Sequence, residues 1–252
     1  MKRDRRRWMW AGWLMLWAPV GGTAEALLAV ASNFNSAARE LAADFAAGGG
    51  HRLRISSAST GVLYAQISNG APFDVFLAAN DSEPARLAKE GRAVAAPFTY
   101  AVGRLVVWSA DAELIRGDCA EVLARLEVPH VSLANPRLAP YGAAALAVLK
   151  RLGLQERYAP RLVMGENVAQ AFQYIATGNA AFGFVARAQL VGLSAERTGS
   201  YCEVDPALHP PLLQQAVLLK HGAGNPAAEG FVKYLRGPRA AEIIRRAGYG
   251  LP

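Results

Sequence analysis

The chain has 252 residues, of which 52% are hydrophobic, so it can form one large or two medium domains with a packed core. This composition excludes an intrinsically disordered chain. The formal net charge of +7 is unevenly distributed, because the first seven residues contain five basic side chains.

The N-terminal segment has the pattern of a secretory signal peptide. Basic residues within positions 2–7 precede an apolar run at 8–20, and small residues follow up to Ala26. The apolar run has about 13 residues, whereas a membrane-spanning helix needs about 20. We therefore expect residues 1–26 to be a signal peptide that is cleaved after Ala24 or Ala26, by the general secretory or the twin-arginine route. An uncleaved membrane anchor is the alternative.

The charge of the remaining chain argues against binding to nucleic acid. Removal of residues 1–26 lowers the formal net charge from +7 to +4, and the remaining charged residues are scattered along the sequence. A nucleic-acid surface would need clustered Lys and Arg with interleaved aromatic residues. We therefore expect no nucleic-acid partner.

The pattern of strands and helices predicts the α/β class. From residue 27 onward, short apolar strands alternate with helical patterns of about 10–15 residues, which is typical of a mostly parallel sheet flanked by helices. The first helix is predicted to end near Gly48, and the second at the turn pair Asn69 and Gly70. The first three predicted strands are residues 27–31, 52–56 and 74–78.

Two longer β-type runs divide the chain into two predicted lobes. Residues 100–109 and 212–220 bracket a middle section that has its own strands and helices. We expect these runs to be two crossing segments between the lobes, with a hinge near Val107 and Val217. The first lobe would then contain residues 27–105 and 218–252, and the second lobe residues 106–217, including the hinge crossings.

The cysteines and histidines do not form a recognisable metal site. Cys119 and Cys202 are the only cysteines, and neither lies in a Cys-x-x-Cys motif or near a paired histidine. Both cysteines fall in the predicted second lobe. An oxidising compartment would permit a disulfide between them, and the sequence leaves both the paired and the free state open.

Four places share a local design in which a strand, a few small or polar residues and the start of a helix follow one another. A helix N-terminus presents unpaired backbone N–H groups and the positive end of a dipole, so it attracts an anion without a cationic side chain. Several such ends together would form a site for a dianion. The four junctions are residues 31–33, 59–61, 139–142 and 166–168.

Polar side chains at these junctions can add hydrogen-bond donors. The candidates are the hydroxyls of Ser32, Thr60 and Tyr141 and the side-chain amide of Asn33. Each of the short polar residues, taken alone, is better explained as an ordinary helix cap, and Tyr141 as a packing residue. The four junctions in combination favour the binding site.

These segments, in this order, resemble the periplasmic molybdate-binding proteins of ABC transporters. The similarity covers nearly all of the chain after residue 26. Its most specific stretches are STGVLYAQI at 59–67, GAPFDVF at 70–76, NP at 135–136 with APYG at 139–142, and GENV at 165–168.

The resemblance implies a fold and a function. The fold would be a two-lobed periplasmic-binding-protein (type II) fold in the α/β class, in which each lobe is a mostly parallel sheet flanked by helices and two crossing segments join the lobes. The chain would be a periplasmic monomer that binds a small oxyanion, molybdate or tungstate, and delivers it to the membrane permease of an ABC importer. It would need no cofactor, and molybdenum would enter only as the bound oxyanion.

The anion contacts of the family map onto five positions of this chain: Ser32, Asn33, Thr60, Tyr141 and the backbone N–H of Val168. Many relatives have a tyrosine after a Gly-x-Val strand of the second lobe. This chain departs from that pattern, because Ala186 follows Val185. It resembles the variant in which the residues at Asn33 and Tyr141 supply those donors instead.

The chemistry of the four junctions favours a fully ionised anion. They offer donors and almost no acceptors, whereas a protonated phosphate would need an acceptor for its remaining hydrogen. Glu166 is the exception, and we expect it to cap its own helix and point away from the ligand. Sulfate or another tetrahedral oxyanion is the alternative ligand.

An enzyme is the more distant alternative. The chain has no Gly-x-Ser-x-Gly motif, and its histidines at 51, 130, 209 and 221 lie outside the four junctions. We therefore expect no catalytic residues.

Overall fold

The computed structural model describes residues 23–49 and 51–252, so the predicted signal peptide lies almost entirely outside the described residues. In the described part of the chain, none of the helices is both long and apolar enough to cross a membrane. Within these described residues, ten strands form two five-stranded sheets with the orders β2-β1-β3-β10-β4 and β7-β6-β8-β5-β9. The strands are β1 (Glu25–Ala31), β2 (Arg52–Ala58), β3 (Val75–Ala78), β4 (Phe98–Gly103), β5 (Leu105–Ser109), β6 (Val131–Ala134), β7 (Leu162–Gly165), β8 (Phe182–Ala186), β9 (Ser200–Glu203) and β10 (Leu212–Leu218).

Helices cover both sheets, as the alternating sequence pattern predicted. They are α1 (Asn35–Gly49), α2 (Thr60–Ser68), α3 (Ser82–Lys89), α4 (Cys119–Arg125), α5 (Pro140–Arg151), α6 (Gln155–Tyr158), α7 (Val168–Ala176), α8 (Ala195–Thr198), α9 (Pro226–Leu235) and α10 (Pro238–Arg246). A short 3-10 turn, Ser32–Phe34, connects β1 directly to α1. The fold class and the two-lobed architecture are thereby confirmed.

The first lobe is built on the sheet that contains β1. This strand pairs in parallel with β2 and β3, while β10 runs antiparallel to β3 and β4. Leu28 and Val30 belong to the same hydrophobic cluster as the buried residues of α1, α9 and α10, and Ala29 packs with Leu63 of α2 on the opposite face. Because both faces of β1 are covered, its sequence is continuously apolar instead of alternating.

The second lobe repeats the arrangement of the first. Strand β6 pairs in parallel with β7 and β8, and β5 runs antiparallel to β8 and β9. Helices α4 and α5 cover one face of this sheet, and α7 covers the other, where Trp108 stacks on Phe172 with ring centroids 4.5 Å apart. In each sheet, the neighbouring parallel strands run in the same direction, so their carboxyl ends lie at the same edge of the sheet.

The chain crosses between the lobes at positions that differ from those expected. The run 100–109 is two strands in different sheets, β4 and β5, which only Arg104 separates. Strand β10 pairs within the first sheet, so the second lobe ends before Leu212 and does not extend to residue 217. Val107 and Val217 lie inside paired strands. A β-type pattern shows that a segment is extended, but not which strand it pairs with.

The position of β1 bears on where the predicted signal peptide would be cut. Ala26 is buried in β1, where it pairs with Leu53. A cut after Ala24 would leave β1 whole, whereas a cut after Ala26 would remove its first two residues.

Cys119 and Cys202 form a disulfide within the second lobe, with their Cα atoms 5.4 Å apart.

Candidate functional site

The four predicted junctions lie at the carboxyl ends of neighbouring parallel strands. In the first lobe, β1 leads into the Ser32–Phe34 turn and β2 leads into α2. In the second lobe, β6 leads towards α5 and β7 towards α7. Carboxyl ends of parallel strands are the usual position of ligand sites in open α/β sheets. Each lobe therefore contributes two adjacent helix starts.

The lobes touch each other at these helix starts. The backbone N–H of Gly61, in the first turn of α2, donates to the carbonyl oxygen of Leu138 in the second lobe at 2.9 Å. Ala31 and Ala79 of the first lobe pack in the same hydrophobic cluster as Tyr141 of the second. The junctions of the two lobes are thus brought together across a narrow interface.

The side chain of Asn33 is used within the protein. It is 5% exposed, and its Nδ2 donates to Gln214 Oε1 at 2.8 Å and to the Tyr249 hydroxyl at 3.1 Å. Both amide hydrogens are therefore engaged, which corrects the expectation that this amide points donors at an anion. Its backbone N–H, in the first turn of a helical segment, is the group that could face a ligand. The neighbouring Ser32 is partly exposed.

Gln214 and Tyr249 hold Asn33 in place, and neither is among the residues predicted from the sequence. The Tyr249 hydroxyl donates to the Asn33 carbonyl oxygen at 2.7 Å, and Gln214 Nε2 donates to the Leu212 carbonyl oxygen at 2.9 Å. Gln214 is fully buried. The signal that could have found it is an amide side chain inside the apolar run of β10, because a buried amide must have partners.

The Thr60 side chain is buried at the start of α2, and its hydroxyl donates to no other described residue. Its Oγ1 accepts the backbone N–H of Ala79 at 3.1 Å. A hydroxyl has one hydrogen and two lone pairs, so the Thr60 hydrogen stays available. The preceding residue, Ser59, is 3% exposed, and its hydroxyl has no partner within the described residues. Sequence reasoning placed Ser59 in the junction but assigned it no contact.

Tyr141 offers two donors at the start of α5. Pro140 has no N–H, and the N–H groups of Gly142 and Ala143 both donate to the Ala139 carbonyl oxygen. This pattern leaves the Tyr141 N–H outside the turn. The ring is buried, and its hydroxyl contacts no hydrogen-bond partner in the described part of the chain.

The Tyr141 phenol is neutral in this environment. Burial raises its pKa well above the ordinary value, and the nearby phenols of Tyr249 and Tyr100 act in the same direction. The side-chain amide of Asn33 opposes the shift, but with a smaller effect. A neutral phenol is a hydrogen-bond donor, whereas a phenolate would repel an anion.

Val168 begins α7, and its backbone N–H donates to no group within the described residues. The side chain of Asn167 accepts the N–H groups of Ala169 at 3.0 Å and Gln170 at 3.1 Å. The expectation that Glu166 caps this helix is wrong, since Asn167 does so and Glu166 is exposed to solvent. The carboxylate of Glu166 has no capping role because the Asn167 oxygen already occupies the first turn.

The chemistry of this region suits an anion. None of the five predicted contact residues carries a charge, so the positive potential comes from helix dipoles and N–H groups. Within residues 23–49 and 51–252, no group of three or more His, Cys, Asp or Glu side chains is arranged to hold a metal ion. A ligand that only accepts hydrogen bonds is the best match to these donors.

Comparison with known proteins identifies close relatives. Residues 26–250 match the family described as bacterial extracellular solute-binding proteins. The chain is 48% identical over 229 residues to the molybdate-binding protein ModA of Azotobacter vinelandii, which covers 90% of each chain. It is 44% identical over 226 residues to ModA of Rhodobacter capsulatus, covering 89% of this chain and 88% of that protein. The solved structure of the Azotobacter vinelandii periplasmic molybdate-binding protein superposes with a TM-score of 0.86 at 40% identity, covering 90% of this chain and 99% of that one.

Proposed function

This chain belongs to the bacterial extracellular solute-binding proteins, and we propose that it captures molybdate in the periplasm for an ABC importer. Tungstate, which has the same charge and shape, would bind at the same place. The anion would lie between the two lobes, in contact with Ser32, Asn33, Thr60, Tyr141 and Val168. The relatives that share 44–48% of their residues with this chain are both molybdate-binding proteins.

The Tyr141 hydroxyl gives the strongest support for an oxyanion ligand. A buried donor without a partner costs about 1–3 kcal/mol, so such groups are rare unless a ligand or water satisfies them. Tyr141 is 2% exposed and neutral, and its hydroxyl finds no acceptor among the described residues. An oxygen atom of a bound anion would supply the missing acceptor.

The balance of donors and acceptors favours molybdate over phosphate. The Leu138 carbonyl, an acceptor at this interface, is already bonded to Gly61. Near neutral pH, phosphate keeps a hydrogen that needs an acceptor, and molybdate does not. Burial of a dianion is costly unless donors reach its oxygens, so a surplus of donors suits a fully ionised tetrahedral oxyanion.

Export and delivery to a permease complete the proposed role of the protein. Residues 1–26 would direct the chain to the periplasm and be removed, most simply by a cut after Ala24. The mature monomer would pass the anion to a membrane permease. It would act as a carrier without catalysis or a cofactor, with molybdenum present only as cargo.

Calorimetric titration of the ligand-free mature protein tests this function. Molybdate and tungstate should each bind at one site per chain, with much weaker binding of sulfate and none of phosphate at the same concentrations. Tight binding of sulfate with no preference for molybdate would replace the proposal with a sulfate carrier. The absence of heat with all four anions would refute an oxyanion-binding function.

A further inference from the structure

Gly103 lies where the chain leaves the first lobe. It is the last residue of β4, opposite Leu212 of β10, and Arg104 alone separates it from β5 of the second lobe. The backbone φ of Gly103 is not positive, so an alanine could adopt its conformation. The backbone therefore does not require glycine at this position.

The limited space around residue 103 is what requires a glycine. A Cβ atom on Gly103 would lie 2.3 Å from the Tyr141 hydroxyl oxygen and 3.1 Å from Tyr141 Cζ. The phenol of the second lobe thus occupies the volume that any larger side chain at 103 would fill. Tyr141 is also buried, and it belongs to the hydrophobic cluster that includes Ala145 and Leu212.

The Gln214 side chain also lies beside residue 103, and it cannot move away without losing hydrogen bonds. Gln214 Nε2 would lie 3.0 Å from the same Cβ atom. Its amide donates to the Leu212 carbonyl oxygen, and its Oε1 accepts from Asn33. A methyl group on residue 103 would therefore displace the phenol or break the hydrogen bonds that hold Asn33.

We infer that Gly103 is a positioning residue for the anion site: the absence of a side chain there lets the Tyr141 hydroxyl reach its binding position across the lobe interface. This inference rests on the proposed function. Because Gly103 also adjoins the chain crossing, the contact ties the position of a donor in one lobe to the end of a strand in the other.

The test compares molybdate affinity in a double-mutant cycle. Gly103→Ala and Tyr141→Phe should each weaken binding by about 10- to 150-fold, the effect of one hydrogen bond to a charged group. The double variant should bind like Tyr141→Phe alone. Removal of the hydroxyl leaves the methyl group with neighbours at 3.0 and 3.1 Å, which need to shift by only a few tenths of an ångström.

Gly250→Ala is the matched control. Gly250 bridges to Val102, the residue before Gly103, and its Cβ would meet Val102 Cβ at an ordinary 3.4 Å. Its affinity should match that of the unmodified protein.

The outcomes separate this inference from the proposed function. If the unmodified protein does not bind molybdate, the proposed function fails. If it binds and Gly103→Ala binds equally well, or if the two single effects multiply in the double variant, the inference is wrong. If Gly103→Ala does not fold, recovery of folding and of the Tyr141→Phe affinity in the double variant supports it, and a double variant that also fails to fold overturns it.

Discussion

At the scale of single residues, Thr60 has a structural role and a proposed binding role, and both depend on its hydroxyl. Thr60→Ala removes the donor proposed for the anion and also the acceptor of the Ala79 N–H. We expect affinity for molybdate to fall by about 10- to 150-fold, equivalent to about 1.5–3 kcal/mol. Thr60→Ser keeps the hydroxyl and should bind within a few-fold of the unmodified protein. Calorimetric titration measures both.

Ser57→Ala provides the control for Thr60. Ser57 lies in β2 three residues earlier and is exposed, so its loss should leave affinity unchanged. If Thr60→Ala binds molybdate as tightly as Ser57→Ala does, the Thr60 hydroxyl is only a structural acceptor.

Burial of the Tyr141 phenol should make the free energy of unfolding decrease with pH in the alkaline range. Burial raises the pKa of Tyr141 well above its ordinary value of about 10, so the folded protein keeps the phenol proton after the unfolded chain has lost it. This contribution to stability is complete below pH 10 and is lost as pH rises towards the folded pKa. The slope for one such group is about 1.4 kcal/mol per pH unit.

Denaturant unfolding between pH 9 and 11 measures this slope. The free energy of unfolding should decrease less steeply with pH in Tyr141→Phe than in the unmodified protein. Tyr201→Phe is the control, since Tyr201 is an exposed tyrosine of the same lobe. Equal slopes in all three proteins would contradict a neutral, buried Tyr141 phenol.

At the scale of secondary-structure elements, the disulfide joins the start of α4 to β9 across 83 residues of sequence. Such a closed loop restricts the unfolded chain, and its loss typically costs about 2–4 kcal/mol. Cys202→Ser should therefore lower the midpoint of denaturant unfolding. Affinity for molybdate should be unchanged, because both cysteines lie within one lobe and outside the four junctions.

The double substitution of both cysteines is the control for the disulfide. It should be destabilised as much as Cys202→Ser, since either change removes the same bond. A midpoint for Cys202→Ser equal to that of the unmodified protein would show that the disulfide adds no stability.

Much of the element pattern could be predicted from sequence, because it depends on local interactions. The helical spacing from Phe34 to Phe45 predicted α1, and its positions 37, 38, 41 and 45 are buried. Junction residues could be placed for the same reason, since each follows a recognisable strand. Strand partners could not be predicted: β10 was assigned to the wrong lobe because pairing with β3 and β4 depends on residues over 100 positions away.

The details of the site depended on contacts between distant segments. No local pattern indicates that Asn33 donates to Gln214 and Tyr249, because these residues are 181 and 216 positions away. These partners changed the role of the Asn33 side chain from a proposed anion donor to a support of the backbone. Likewise, only the folded structure shows that Tyr141 fits against a glycine of the other lobe.

At the scale of the whole molecule, the proposed contacts are divided between the lobes. Ser32, Asn33 and Thr60 belong to the first lobe, while Tyr141 and Val168 belong to the second. Neither lobe alone surrounds an anion, so a ligand that contacts both stabilises the form in which they meet. The two crossings, at Arg104 and at residues 204–211, are short enough to serve as a hinge between two rigid sheets.

Small-angle X-ray scattering on the ligand-free mature protein tests whether molybdate closes the two lobes, because it measures the separation of the lobes in solution. The radius of gyration should decrease when molybdate is added to saturation, and should stay unchanged with phosphate at the same concentration. In Thr60→Ala, the same decrease should require more molybdate. An identical radius of gyration with and without saturating molybdate, in a protein shown by calorimetry to bind it, would contradict closure of the lobes over the anion.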